Sequence, residues 1–496
     1  MVQGTGSSVG KSIIVAALCR VMRQDGWNIA PFKSQNMALN SYVTEEGHEM
    51  GRAQVVQAEA AGLLPHVDMN PVLIKPEADA RSQVVVMGKP WKTVSAHDYY
   101  EYTPELYPVV EEALERLRAR YDAVIIEGAG SPAEINLRRF EIANMSIARM
   151  AEAPVLLVGD IDKGGVFASL AGTVMLLEEE ERKLIAGFII NKFRGDVSIL
   201  RPGLDFMEEY TGKPVLGVVP YYHDILVNEE DSIRRIESEK EAHELDIAVV
   251  HLPRISNSTD FEPLQQEAGV RLRYIRSAWE LDSPDLIIIP GSKSTVSDLL
   301  HIKETGLAEA IVERARNGTP VIGICGGFQM LGKRIEDPAG VESEVADVEG
   351  LGLLDINTLF EGAKTTHQVE AQVNGDAGLF AGLAGEKLTG YEIHMGRTDL
   401  GDADAAFEIV SRSGNEGSHP DGAFEHDGRV FGTYMHGLFD SEHFRRAVLG
   451  NIKPQWRLKT AYRRIPSKEE QYDKLATLVR DSLDIERIYR ICGLVR

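Results

Sequence analysis

Pro320-Val-Ile-Gly-Ile-Cys325-Gly-Gly-Phe-Gln-Met-Leu-Gly332 is a short β-branched run that drives into a thiol, with two glycines before a helix can begin. Such a bend lifts the Cys325 sulfur above a sheet and aims backbone N–H groups and a helix N-terminus at it. Those features lower a thiol's pKa and stabilise an oxyanion. A small buried cysteine closing a strand is the plain alternative. Asp285-Leu-Ile-Ile-Ile-Pro-Gly291-Ser292 is a second apolar strand entering a tight turn. The N–H groups of that turn, with that of Gly326, can form an oxyanion hole. Phe431-Gly-Thr-Tyr-Met-His436-Gly437 is a third strand, ending in a histidine that could serve as general base if it lies within hydrogen-bond reach.

The other end of the chain carries a different chemistry. Gly4-Thr-Gly-Ser-Ser-Val-Gly-Lys11-Ser12 precedes a helical run over 13–23. Glycines let the backbone fold around phosphate, the lysine neutralises it, and the serine hydroxyl can ligate Mg²⁺. Five residues rather than the usual four separate Gly4 from Gly10, so the loop is stretched. Ile125-Ile-Glu127-Gly-Ala-Gly130 is a strand ending in an acid, which can face a Mg²⁺ held by Ser12. Asn191, after another strand, suits the edge of adenine, although Asn is also an ordinary loop residue. Lys33-Ser-Gln-Asn36-Met-Ala-Leu-Asn40, Asn70-Pro-Val-Leu-Ile-Lys75-Pro76 and Asn136-Leu-Arg-Arg139 suit recognition of an anionic substrate, their shared placement after apolar strand-like runs pointing to a pocket; a plain surface loop is the alternative for each.

Length and composition bound the rest. At 496 residues two or three domains are expected. A formal net charge of −23 argues against nucleic acid as a partner, while leaving anionic small molecules open to a local basic pocket. Three widely spaced cysteines, Cys19, Cys325 and Cys492, fit a reducing cytoplasm without a disulfide framework. No signal pattern and no membrane-length apolar run is present, so the expected location is the cytoplasm.

Strand-like runs at 28–32, 122–126, 154–158, 184–190 and 214–219 alternate with helical stretches such as 109–119, where Val110, Ala113, Leu114 and Leu117 share a face. That alternation predicts a parallel sheet wrapped by helices, with ligands at the C-terminal ends of its strands. The charged, apolar-poor segment 226–244 reads as a linker, and a second α/β pattern starts at 246–252. The expected organisation is therefore 1–225, a linker at 226–244, 245–450 and a C-terminal helical extension over 451–496. Leu475, Leu478, Val479 and Leu483 form an apolar face over 472–492, which reads as a packing helix.

These runs carry a resemblance. The second half resembles class I glutamine amidotransferases with a cysteine nucleophile. The first half resembles the dethiobiotin-synthetase-like ATPases, which share the stretched loop and the Glu-Gly-Ala-Gly turn. In this order, and with PFKSQNMALNS (31–41), EMGRAQ (49–54), NPVLIKP (70–76), EGAGSPAEINL (127–137), DKGGVFAS (162–169) and NKFRGD (191–196), the chain resembles the cobyric acid synthase family of cobalamin biosynthesis. The resemblance implies a two-domain α/β carbon–nitrogen ligase with glutamine as amido donor. Its reaction would be ATP- and Mg²⁺-dependent amidation of the b, d, e and g carboxylates of adenosylcobyrinic acid a,c-diamide through acyl phosphates. It implies Cys325 and His436 as the catalytic pair, and Gly291, Ser292, Gly326 and Gln329 as oxyanion and glutamine contacts. ATP would meet Thr5, Gly6, Ser7, Val9, Gly10, Lys11, Ser12 and Asn191; the metal would meet Ser12 and Glu127; the corrinoid would meet Lys33, Asn36, Asn40, Lys75 and Glu141.

Two positions depart from common patterns. Many class I amidotransferases carry a Glu two residues after the histidine, where this chain has Leu438, so the third member of the site stays open and nearness alone does not nominate Asp440. Relatives tend to carry Asp after the Glu-Ile-Asn-Leu run where this chain has Glu141, one methylene longer. The competing readings are a cobyrinic acid a,c-diamide synthase, with the same domains and other carboxylates, and a nucleotide-switched binding protein of the partitioning-ATPase type with a decayed amidotransferase half. An intact Cys325/His436 pair weighs against the latter. Dethiobiotin synthesis alone would leave the glutaminase half unexplained.

Overall fold

A computed structural model describes residues 1–78, 81–95, 97–222, 225, 227, 243–425, 427–459 and 465–494. The expected linker, 226–244, therefore lies almost wholly outside the described residues. In the first half Val2–Gly4, Val155–Asp160, Ile185–Phe193 and Val215–Pro220 form a parallel sheet in that order. Ile29–Phe32 pairs in parallel with Ala123–Ile126, and a bridge from Val2 to Glu127 joins this pair to the same layer. The predicted β-rich runs thus form strands within a few residues of their expected bounds. Each is apolar almost throughout because helices cover the layer on both faces.

Two features differ from the sequence reading. The run 70–76 does not form a loop: Val72–Ala78 is the core of a four-stranded sheet with Gln35–Met37, Arg81–Val86 and Lys89–Ser95. Its alternation is hidden by the polar residues at its end, and its partners are contributed from both sides of the chain. The helix expected at 109–119 begins earlier, at Tyr99, and runs to Arg118 through Pro104 and Pro108. Burial of Leu106, Val110, Ala113, Leu114 and Leu117 along one face outweighs the proline penalty, which is about 3 kcal/mol in a helix interior.

In the second half five parallel strands run in the order Val270–Ile275, Leu245–Val250, Leu286–Ile289, Val321–Ile324, Val430–Thr433, with short antiparallel Ala423–Phe424 at the edge. A second sheet is built on the long hairpin Ile356–Val373 and Lys387–Leu400. This hairpin clasps the small antiparallel pair Ser41–Val43 and Glu49–Gly51 of the first half. Val43, Tyr391 and Ile393 share an apolar cluster there, and Thr366 Oγ1 donates to Gly47 O at 2.8 Å.

The C-terminal segment returns to the first half. Its apolar face forms two helices, Lys468–Ser482 and Ile485–Cys492, because Leu483 and Asp484 leave the helix to meet the sheet edge: Asp484 N donates to Leu216 O at 2.8 Å. Leu475, Ala476, Val479 and Ile488 join the core of the helix Lys11–Gln24 that follows the phosphate loop. Arg20 clamps the contact through Glu469 at 2.6 Å and Asp473 at 2.7 Å. Among the described residues no helix is long and apolar enough to cross a membrane. Truncating Ile488, which is fully buried, to Ala is expected to cost about 2–5 kcal/mol. Arg490→Ala on the exposed side of the same helix should stay within about 0.5 kcal/mol. Denaturant midpoints of the two variants test this.

Candidate active sites

Cys325 sits where the strand Val321–Ile324 meets the helix Gly326–Leu331. Its backbone is strained, with φ 51° and ψ −108°, a region an L-residue adopts only when its surroundings enforce it. The enforcement is visible: Cys325 N donates to Thr433 O at 2.8 Å, and a Cβ on Gly327 would lie 2.0 Å from Ile289 O. Only glycine lets the helix approach the next strand so closely. The N–H of Gly326, at the first position of this helix, has no intrahelical acceptor. Ser292 N lies so near Gly326 that a Cβ there would stand 2.9 Å from it, which brings the Gly291-Ser292 turn and the start of the helix together beside the thiol. Gln329 lines the same cavity, with its amide held by Thr295 at 3.2 Å and Tyr434 at 3.1 Å.

His436 is buried near enough to Cys325 for the thiol to favour a charge on its ring, while the thiol itself lies 3.6 Å from Ile393 O. Its Nδ1 lies 2.6 Å from Asp260 Oδ2, and the other oxygen of Asp260 accepts from Gly437 N at 3.0 Å. Burial opposes a charge on the ring, but the Asp260 carboxylate outweighs it, helped by Cys325, and the pKa is raised to about 10. The third position left open by Leu438 is thus occupied from a segment 176 residues upstream. No spacing rule points to Asp260 from His436, since the contact exists only after Ser258–Phe261 packs against the strand end. Asp440, four residues after His436, is not the residue that meets Nδ1.

The cavity at Cys325 is also lined by Glu342, Lys293, Lys364 and Lys75. Lys75 therefore stands at the glutaminase cavity, where it shares the buried Glu49 carboxylate with Lys364, at 2.6 Å and 2.5 Å. Burial lowers the Lys364 pKa to about 8 against the pull of Glu49. Glu342 is raised to about 8, chiefly by burial. Neither Lys364 nor Glu342 lies in a recognisable motif.

The second site gathers around Glu127, which is fully buried. Its carboxylate accepts from Ser12 Oγ at 2.8 Å, Lys33 Nζ at 3.0 Å and Gln57 Nε2 at 2.5 Å. Burial alone would raise its pKa; Lys33, these hydrogen bonds and Lys11 bring it below the usual range. Lys11 Nζ reaches the carbonyls of Gly6 at 2.9 Å and Gly130 at 3.2 Å, so it bends over the loop 5–10 that holds Thr5, Ser7 and Val9. Gly10 adopts φ 98°, and a Cβ there would stand 2.1 Å from Asn191 Nδ2. Asn191 braces the loop by donating to Val9 O at 2.9 Å, which leaves Oδ1 without a partner among the described residues. Lys11, the loop amides and the helix start fit the charge of a nucleoside triphosphate, and Ser12 and Glu127 offer the hard oxygen donors that Mg²⁺ takes.

The remaining expected substrate contacts are dispersed. Asn36 is buried and donates to Gln54 Oε1 at 2.9 Å, and Asn40 Oδ1 accepts from Ser258 N at 3.0 Å, across to the glutaminase half. Glu141 turns back on the helix Met145–Met150, where it accepts from the N–H groups of Ala143, Asn144 and Ser146.

Known proteins resemble this chain in sequence from end to end. A model of the CobQ/CobB/MinD/ParA nucleotide binding domain matches residues 1–233, and one of the CobB/CobQ-like glutamine amidotransferase domain matches 246–444. The cobyric acid synthase of Dehalococcoides mccartyi (strain CBDB1) is 53% identical over 493 residues, covering 99% of this chain and 98% of the relative. That of Sorangium cellulosum (strain So ce56) is 53% identical over 515 residues, covering 100% and 99%. That of Moorella thermoacetica is 50% identical over 503 residues, covering 100% and 97%. With both domains in the same order and identity of this level from end to end, the chain belongs to the cobyric acid synthase family.

Proposed function

We propose that this chain amidates the b, d, e and g carboxylates of adenosylcobyrinic acid a,c-diamide, using ATP and glutamine. The observation that carries the reading is the coexistence, on a chain collinear with cobyric acid synthases, of a strained Cys325 beside a carboxylate-backed His436 and a phosphate loop facing Glu127.

The chemistry follows from the groups present. Cys325 Sγ attacks the glutamine carboxamide carbon, and the oxyanion is received by the N–H groups near Ser292 and Gly326. His436 takes the thiol proton and gives it to the departing ammonia, while Asp260 holds the ring and stabilises its charged form. Water attacks the thioester and releases glutamate. At the other site a corrinoid carboxylate is a poor electrophile until one of its oxygens attacks the γ-phosphorus of ATP and ADP leaves. Ammonia then attacks the acyl carbon and phosphate departs. Lys11 and the loop amides stabilise the transferring charge, and Mg²⁺ held by Ser12 and Glu127 would neutralise it further.

Mass spectrometry of adenosylcobyrinic acid a,c-diamide incubated with the chain, Mg-ATP and glutamine should show stepwise gain of four amides. Cys325→Ser should abolish this with glutamine and retain it with added ammonia. Absence of amidation with either nitrogen source would defeat the substrate assignment, and amidation of cobyrinic acid at a and c would transfer it to the diamide synthases. Asp260→Asn is expected to lower glutaminase kcat by roughly 10²–10⁴-fold. Loss of the carboxylate removes the group that favours the imidazolium, so the limb of the pH–rate profile that reports His436 should move to lower pH.

A further inference from the structure

One short run of chain touches both sites. Lys33 and Ser41 are eight positions apart. At one end Lys33 Nζ lies on Glu127 Oε1, the same oxygen that accepts from Ser12 Oγ. At the other end Ser41 is buried and turns each of its polar groups toward the glutaminase site. Its N–H donates to Asn257 Oδ1 at 3.0 Å, its carbonyl accepts from Tyr391 Oη at 3.3 Å, and its Oγ accepts from Lys75 Nζ at 3.0 Å. Asn40 Oδ1 takes the N–H of Ser258 at 3.0 Å.

The residues so gripped are those that hold His436. Asn257 Nδ2 lies 3.3 Å from Nε2, Asp260 meets Nδ1, and the Tyr391 ring stacks on the imidazole with centroids 5.2 Å apart and planes at 20°. Asn257 is held in a left-handed conformation, φ 52°, at the start of the turn that bears Asp260. A backbone N–H can only donate, so Ser41 fixes Oδ1 of Asn257 toward itself and leaves the amide NH₂ facing the ring. That NH₂ can donate to Nε2 only while the ring is neutral, in opposition to Asp260, which favours the charged ring.

The run itself is braced along its length. Asn70 Nδ2 donates to Lys33 O at 3.2 Å, while Asn70 Oδ1 accepts from Gly51 N, and Gly51 is the antiparallel partner of Ser41. A displacement at Lys33 is therefore carried toward Ser41. A divalent cation at Ser12 competes with Lys33 for Glu127, and a phosphate beside it competes with Glu127 for Lys33, which gives the two ends a physical reason to move together.

We propose that residues 33–41 couple the two sites, with Asn40 and Ser41 positioning His436 through Asn257 and Tyr391, so that glutamine hydrolysis answers to occupancy of the phosphate site. This rests on the functional reading above. The groups facing His436 are Cys325, Asp260, Asn257 and Tyr391, with Arg52 and Asp440 beside Tyr391.

The test measures glutamate release by the full chain with glutamine alone, then with Mg²⁺ and a non-hydrolysable ATP analogue, then with the corrinoid added. The wild type should respond at least about fivefold, the lower end of ordinary coupling between sites. Asn257→Ala should bring that ratio close to one, and the acid limb of its glutaminase pH profile should move to higher pH because the donor favouring the neutral ring is gone. Tyr391→Phe keeps the stacked ring, loses only the contact to Ser41 O and should reduce the ratio partway, which guards against a variant that misfolds. Ammonia-dependent amidation is followed in each variant and should persist. A wild type with no response, or an Asn257→Ala protein with wild-type ratio and pH profile, overturns the coupling. A wild type that releases glutamate but forms no amide from either nitrogen source defeats the functional reading instead, and the response to the ATP analogue still decides the coupling.

Discussion

A carboxylate removed from water must be surrounded by donors or cations, and three of the buried acids impose that requirement at the two sites and the seam between them. Glu127 gathers Ser12, Lys33 and Gln57; Glu49 gathers Lys75 and Lys364; Asp260 gathers His436 and the N–H of Gly437. Each set draws on segments far apart in the chain. The phosphate site, the seam between the halves and the glutaminase base are therefore all organised by the same electrostatic necessity.

A buried Lys–Glu–Lys arrangement gains little stability over an apolar replacement, because desolvation offsets most of the attraction. What it supplies is register: Glu49 can meet both lysines only if the small hairpin 41–51 and the long hairpin of the second half are aligned. That alignment is also what places Ser41 against Asn257 and Tyr391. The return of the C-terminal helices to the phosphate-loop helix closes the first half in a similar way, with an apolar stripe supplying the stability and Arg20 the orientation.

Much of the architecture was legible from local pattern. The apolar runs of the two parallel sheets are short, β-branched and bounded by glycine or proline, so their existence followed from periodicity. The runs that depart from local pattern are the ones whose neighbours come from elsewhere. Val72–Ala78 looks like a loop until Gln35–Met37 and Arg81–Val86 are set beside it, and the helix from Tyr99 overrides two prolines because its buried face is long. The site residues divide along the same line. Cys325, His436, Lys11, Ser12 and Glu127 lie at strand ends or in a loop whose chemistry is local. Asp260, Asn257 and Lys364 carry no local mark, since their meaning comes from partners more than a hundred residues away.

By itself the sequence determined the two chemistries of this protein: a thiol at a strand-to-helix bend and a phosphate loop with an acid facing it. Both depend on backbone geometry within a few residues. Only the tertiary structure decided what completes and connects them, namely that Asp260 rather than Asp440 meets His436, and that the run from Lys33 to Ser41 spans from one site to the other. Those outcomes depend on which buried polar groups find each other when the halves pack, and no short-range preference encodes that choice.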